Sequence, residues 1–340
     1  MEAFSGWLLR AWYSPRPVWF FIPFAWLFWL LSGLRRTAYA LGIASVASVP
    51  AAVIVVGNIS VGGTGKTPFV IWLAAELTRL GYKVGIVSRG YGGAKHGGAL
   101  LVTPDSDPAV TGDEAVLLAK RTGVPVAVCR DRAAAANLLC SRYAIDVVLS
   151  DDGLQHHRLP RDMETVLLDG ERGLGNGWLL PAGPLRETEH RLNKVGLTVI
   201  KRTIASQFTW PGAVYMQLTV TTAVSLSDGR RVPLTQFAGQ SVHALAGIGN
   251  PQQFFDALKA AGLQVDGRAL ADHARLVPGD MHFPDERPVF MTEKDAVKCR
   301  SMTLSRHWYV EAAADFSAAD RALILERVER AIKARSPHNH

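Results

Sequence analysis

Between Ala51 and Leu80 the chain passes from a hydrophobic run, through a glycine-rich turn, into a helical pattern. Ala51–Val56 is unbroken apolar sequence rich in Val and Ile, as in a strand covered on both faces. Ser60-Val61-Gly62-Gly63-Thr64-Gly65-Lys66-Thr67 follows, and Pro68–Leu80 then places Phe69, Leu73, Leu77 and Leu80 at helical spacing. The turn matches the phosphate-loop pattern G-x-x-x-x-G-K-[ST] everywhere but its first position, where Ser60 replaces glycine. Such a loop wraps an anion in successive backbone N–H groups, so side chains must be absent where the anion approaches. The helix after it adds its positive N-terminal end. In that setting Lys66 supplies a compact charge to a phosphate and Thr67 a hydroxyl to Mg²⁺.

The rest of the chain repeats this alternation. Val84–Ser88, Val124–Cys129, Ile145–Ser150, Thr165–Asp169 and Leu197–Lys201 read as strands, with Glu114–Arg121 and Asp131–Arg142 as helices. The order predicts an α/β fold with a P-loop NTPase-like, doubly wound, mostly parallel sheet. A polar stretch at Ser206–Pro211 precedes a second pattern. There Ala213–Val220, Val242–Ala246, Val289–Met291 and Trp308–Val310 read as strands, Pro251–Ala261 and Ala318–Ala334 as helices. We therefore expect three parts: residues 1–40 as an N-terminal hydrophobic helix, 41–210 as a P-loop core, and 211–340 as a smaller C-terminal α/β domain. A chain of 340 residues has room for two cores.

The N-terminal part is unusual in composition. Val18–Leu34 holds no charge, arginines flank it (Arg10, Arg16, Arg35, Arg36), and five of the nine Trp fall in the first twenty-nine positions. A span needs about 20 apolar residues, and Pro23 breaks this run. A helix lying in the headgroup region suits the Trp and Arg content best; a single span and a buried core helix are the alternatives. The net charge of +7 favours acidic partners such as phosphorylated substrates, anionic lipid or nucleic acid. No RNP, KH or zinc-finger signature supports the last of these. Cys129, Cys140 and Cys299 are isolated, which argues against a disulfide framework or zinc site.

Carboxylates supply the remaining chemistry. Asp151-Asp152-Gly153 ends the strand from Ile145, at the edge where open α/β sheets bind ligands and where an acid can hold Mg²⁺. Gln155 and His156 lie close enough in sequence to line the same cleft. Thr111-Gly112-Asp113-Glu114 opens a helix. Capping by Thr111 or Asp113 is one account; a base at Asp113 accepting a hydroxyl proton is the other. Ala246-Gly247-Ile248-Gly249 lacks the third glycine of a dinucleotide fingerprint, and Asn250-Pro251 reads as a helix start.

Taken together, these motifs resemble the tetraacyldisaccharide 4'-kinases, the lipid A 4'-kinases of Gram-negative inner membranes. Val56-Gly57-Asn58-Ile59 and the phosphate loop, Ser88-Arg89-Gly90-Tyr91-Gly92, Thr111–Glu114, Asp151–His156, Leu180–Glu187, Ala246–Pro251 with Phe254-Phe255, Asp272-His273 and Thr292–Lys298 carry the resemblance. The resemblance implies transfer of the γ-phosphate of ATP, with Mg²⁺, to the 4'-hydroxyl of a tetraacyldisaccharide 1-phosphate at the cytoplasmic face of the inner membrane. It implies Asp113 as base with His273 in support, Lys66 on the phosphate, and Asp151, Asp152 and Thr67 at the metal. By the same resemblance, residues 60–67 with Gln155 and His156 form the nucleotide site, and Arg186 and Glu187 contact substrate. Where the family pattern often has a second histidine, this chain has Ala274. The competing expectations are a membrane-associated regulatory ATPase and a GTPase switch. Against the latter, Thr292-Glu293-Lys294-Asp295 has guanine-motif letters in the wrong order.

Overall fold

The structure, a computed structural model, describes residues 2–94, 97–271, 276–299 and 305–335. Two helices open the chain, α1 (Glu2–Trp12) and α2 (Ile22–Ala40). Strand β1 (Ala52–Gly57) then feeds the glycine-rich loop and α3 (Lys66–Arg79). After it come β2 (Val84–Ser88), β3 (Leu100–Val102), α4 (Pro108–Thr111), α5 (Asp113–Thr122), β4 (Val126–Val128), α6 (Arg132–Arg142), β5 (Val147–Asp151), β6 (Met163–Asp169) and β7 (Leu197–Arg202). The second pattern contains β8 (Val214–Ser225), β9 (Arg231–Pro233), β10 (Ser241–Ala246), α7 (Pro251–Ala260), β11 (Gln264–Ala269), β12 (Val289–Thr292), α8 (Glu293–Ala296), β13 (His307–Phe316) and α9 (Ala318–Arg335).

All strands join one sheet in the order β11-β10-β12-β13-β8-β7-β6-β1-β5-β2-β4-β3, with β9 on β8. From β8 to β4 every neighbouring pair is parallel, and β1, β2, β5 and β6 are buried along their whole length. That is why they read as continuous apolar runs. The long β8 joins the two halves: its first residues pair parallel with β7, and Met216–Ser225 pair antiparallel with β13. Beyond it β13, β12, β10 and β11 are parallel to one another.

Each half has apolar packing on both faces. In the first, α3 (Phe69, Leu73, Leu77) and α5 (Val116, Leu118) cover one face, and α6 (Ala135, Ala136, Leu139) covers the other. In the second, Phe254, Phe255, Phe290 and Trp308 form one cluster, and Met281, Phe283, Met291 and Tyr309 another. Helix α9 ends the chain by returning to the first half, where Ile324, Val328 and Ile332 join the core beside α3.

Pro23 sits in the first turn of α2, a position that needs no N–H donor, so it opens this helix at Ile22 rather than interrupting it. Of its side chains only Ala25 is fully buried; with Phe21, Ile22 and Phe28 it packs on Leu179, Ala182 and Leu185. Trp12 Nε1 donates to Pro181 O at 2.8 Å, which pins the preceding turn. Trp19, Phe24, Trp26, Trp29, Leu31 and Leu34 are left more than half exposed. Among the described residues no helix is long and apolar enough to cross a membrane.

Candidate active site

The parallel half brings its polar groups to one edge. Val56, near the end of β1, pairs in register with Asp151, the last residue of β5, so the glycine-rich loop and the Asp151-Asp152 pair leave the sheet side by side. Gly65 starts α3 from a left-handed conformation (φ 83°), which favours glycine. A Cβ there would also meet Met216 Cε at 2.7 Å. Gly63 has open space on its side-chain side.

Asp151 is buried. Burial pushes its carboxyl up to about 7, with Glu114 and Asp152 adding to the rise and Lys66 and Arg132 opposing it. For Asp152 burial also acts upward, but Lys66 and Arg186 outweigh it and hold the group below the usual carboxylate range. The contacts are direct: Lys66 Nζ lies 3.4 Å and Arg186 Nη1 3.5 Å from Asp152 Oδ1. Asp152 itself adopts φ 50°, a conformation uncommon outside glycine and frequent at functional turns.

The segment carrying Arg186 and Glu187 is laid against the loop by backbone bonds, Val61 N to Pro184 O (2.9 Å) and Arg186 N to Ile59 O (2.7 Å). Gln155 Nε2 donates to Glu187 Oε1 at 2.8 Å, and Arg36 of α2 reaches Glu187 at 3.5 Å. The hydrophobic N-terminal helix is thereby joined to the polar site. His156 is brought down to about 4 by burial and then by Arg132 and Arg89, so its imidazole is neutral at physiological pH.

Asp113 is buried at the first turn of α5. Its preceding Gly112 takes φ 87°, and a Cβ there would strike Tyr91 O at 2.6 Å. The Arg89–Gly92 turn and the Thr111–Glu114 turn therefore meet backbone to backbone, which aims Asp113. No side chain caps α5 through the Gly112 position; Asp113 Oδ1 instead accepts from Glu114 N at 2.9 Å. Thr292–Lys298 then runs along α5. Arg121 pairs with Glu293, Lys294 with Glu114 at 3.2 Å, and Lys298 with Asp113 at 3.8 Å. Asp295 is fully buried and organises this stretch, accepting from Gly247 N (2.9 Å), Thr292 Oγ1 (2.7 Å) and Lys298 Nζ (3.0 Å). A Cβ on Gly247 would meet Asp295 Oδ1 at 2.9 Å, so that glycine serves close packing. Asn250 precedes α7 without a side-chain cap, and Pro251 takes its first turn. His273 lies outside the described residues.

Arg132, which the motifs do not single out, is about 1 % exposed in the first turn of α6. Burial lowers its pKa to about 10 against the pull of Asp151 and Asp152. Among the described residues Arg132 Nε and Nη2, Asp151 Oδ1, Thr64 Oγ1 and Asn58 Oδ1 have no hydrogen-bond partner. Buried polar atoms left unmade cost about 1–3 kcal/mol each, and these sit on elements that share one edge of the sheet. The donors suit phosphate oxygens, and a carboxylate oxygen beside a phosphate loop suits Mg²⁺, which takes one or two carboxylates and completes its shell with phosphates and water.

A family model described as tetraacyldisaccharide-1-P 4'-kinase (LpxK) matches residues 17–329. The chain belongs to this family. Curated tetraacyldisaccharide 4'-kinases resemble it over nearly their whole length. The Nitrosococcus oceani protein is 44% identical over 98% of this chain and 97% of its own. The Methylobacillus flagellatus protein is 46% identical over 97% and 98%. A crystal structure of LpxK from Aquifex aeolicus in complex with ATP matches with a TM-score of 0.76 at 28% identity, covering 92% of this chain and 98% of that one.

Within this kinase, Lys66, Asp151, Asp152 and Arg186 come together, as do Gln155 and Glu187. The missed Arg132 carries a signal that Asp169 and Lys201 share: a charge where a parallel strand ends or the next helix begins. Arg132 opens α6, Asp169 ends β6, and Lys201 lies one residue from the end of β7, at the edge where such sheets bind ligands.

Proposed function

We infer that the protein transfers the γ-phosphate of ATP, with Mg²⁺, to the 4'-hydroxyl of a tetraacyldisaccharide 1-phosphate, giving the 1,4'-bisphosphate lipid IVA. The supporting observation, beside family membership, is the set of unpartnered buried polar atoms on the loop, Arg132 and Asp151. In this reading the amides of residues 60–67 and Lys66 hold the β- and γ-phosphates, while Arg132 offers its two unpartnered nitrogens, Nε and Nη2, to the same anion. Thr67, Asp151 and Asp152 hold Mg²⁺, which when bound neutralises charge developing on the phosphates. Gln155 and His156 border the nucleotide, and neutral His156 adds no cation of its own.

Asp113 takes the proton of the attacking hydroxyl, and Lys298, fixed by Asp295 and 3.8 Å from the Asp113 carboxylate, aims it. His273 is assigned to the support of Asp113 by family position. Arg186 and Glu187 face the acceptor sugar. Most of the rate comes from positioning and charge neutralisation, as expected for phosphoryl transfer.

The α2 face bearing Trp26, Trp29 and Leu30 forms, with Trp178 and Leu179, a cleft of ≈ 620 Å³. An aromatic, apolar surface of this kind suits the headgroup region of a bilayer. We assign residues 1–40 to peripheral attachment at the cytoplasmic face of the inner membrane, 41–210 to the P-loop core, and 211–340 to the smaller domain, whose last helix α9 packs back on the P-loop core. The deciding assay offers the full-length protein γ-labelled ATP, Mg²⁺ and a tetraacyldisaccharide 1-phosphate in detergent. Label in the lipid is expected; label released only as inorganic phosphate, independent of lipid, would make the protein an ATPase.

A further inference from the structure

Three successive carbonyls of the glycine-rich loop are each held from outside by a different side chain. Tyr13 donates its hydroxyl to Val61 O at 3.0 Å, Asn58 Nδ2 donates to Gly62 O at 3.3 Å, and Lys201 Nζ donates to Gly63 O at 3.1 Å. In a trans peptide the N–H points opposite to the C=O. Each hold therefore turns the N–H of the same peptide, that of Gly62, Gly63 or Thr64, away from the side chain that makes it. Among the described residues none of those three amides donates to a protein acceptor, which is what an anion nest requires.

Lys201 is only about 2 % exposed, and its ammonium has three partners for three donors. Besides Gly63 O these are Asp169 Oδ2 at 2.7 Å and Gln253 Oε1 at 3.0 Å. An ion pair buried this deeply adds little net stability over an apolar pair of the same volume, so stability is a weak reason for its presence. Asp169 extends the group: its Oδ1 accepts from the backbone N–H of Glu171 and Arg172 at 3.0 and 3.2 Å. The Arg172 guanidinium in turn lies 5.2 Å from the centre of the Tyr13 ring. The two outer holds therefore belong to one connected cluster. Tyr13 follows α1 in the hydrophobic N-terminal part, and Gln253 lies on α7 of the second half.

We propose that Tyr13, Asn58 and Lys201 are positioning residues for ATP: they set the loop's amides toward the polyphosphate and make nucleotide affinity depend on the seating of the N-terminal segment and of α7. This rests on the ATP-binding reading above. Tyr13→Phe removes one hydrogen bond and keeps the ring against Arg172, and should weaken MgATP about 3- to 10-fold. Lys201→Met combined with Asp169→Asn removes a charge-assisted hold without stranding a buried carboxylate. It should weaken MgATP about 10- to 100-fold. Gln253→Ala should fall at or below the Tyr13 effect. The measurement is calorimetric titration of each full-length protein with ATP and Mg²⁺, together with KM for ATP and for the lipid acceptor. Support is a rise in Kd and KM for ATP with KM for lipid unmoved; a role in packing alone would lower melting temperature and the active fraction but leave KM for ATP in place. If the parent protein binds ATP and Tyr13→Phe and Gln253→Ala bind it equally well, the proposal is wrong and the functional reading stands, whether or not the double variant folds. If the parent itself binds no ATP, the functional reading fails first.

Discussion

The two halves of this sheet are built to similar plans and spend their charges differently. In the first, buried parallel strands carry Asp151, Asp169 and Lys201 at or near their C-terminal ends, and the helices opposite start with Asp113 and Arg132. In the second, charges gather at an outer edge. His243 sits between Asp266 (3.2 Å) and Asp285 (2.9 Å), while Arg287 holds Asp285 below its usual range. The second half reaches the active site mainly through Thr292–Lys298 and Gln253. On the proposed mechanism, chemistry and alignment are divided: reacting groups belong to the first half, and the second supplies cations and contacts that aim them.

The sharpest way to break this division is to compare the proposed base, Asp113, with its cation, Lys298. Asp113→Ala should lower kcat about 10²- to 10⁴-fold with MgATP affinity nearly unchanged; full turnover with the lipid acceptor would remove Asp113 from the mechanism. Lys298→Met, in the other half, should cost about 10-fold in kcat, as expected when a charge-assisted contact of about 1.5–3 kcal/mol is lost in part. A loss equal to that of Asp113→Ala would put the second half on the reacting atoms. The N-terminal segment stands outside both halves. Replacing Trp26, Trp29 and Leu30 together by Ser should weaken partitioning to anionic vesicles at least tenfold, since each large side chain would contribute about 1.5–3 kcal/mol on full burial and the headgroup region recovers part of that, while KM for ATP stays in place. Equal sedimentation would move the anchor elsewhere.

The smallest effect concerns acid. His156 and His157 lie among arginines, and burial first, then those cations, bring both down to about 4. The unfolded chain binds protons at these groups near pH 6.5, and the folded one does not. Their contribution to stability is therefore full above about 6.5 and is lost as pH falls toward 4. His157→Gln should flatten the fall in melting temperature over that window. An unchanged slope would show that His157 is solvated in the fold.

The parallel strands were legible because burial on both faces leaves an unbroken apolar record. The expected Val84–Ser88 matches β2, and Leu197–Lys201 falls one residue short of β7. Strands β3, β9 and β11 left no such record. β11 (Gln-Val-Asp-Gly-Arg-Ala) is largely exposed and holds its place at the sheet edge through ladder bonds to β10. The sequence predicts only Trp308–Val310 of β13, which continues to Phe316. Its Glu311–Ala314 stretch favours helix intrinsically, and pairing along β8 overrides that preference. The phosphate loop and Asp151-Asp152 could be read because their chemistry is contiguous in sequence. Lys201 and Tyr13 could not: their loop contacts lie 138 and 48 residues away, and such proximity exists only after the sheet has formed.

All of this depends on a polyphosphate and Mg²⁺ completing the unpartnered atoms of Asp151, Arg132 and Thr64. Calorimetric titration of the full-length protein and of Lys66→Ala with MgATP tests it most directly, read alongside melting temperature. The parent should give saturable heat and stabilisation of about 2.7 kcal/mol at a hundredfold excess over Kd, both strongly reduced in Lys66→Ala. No heat and no thermal shift in the parent would contradict it.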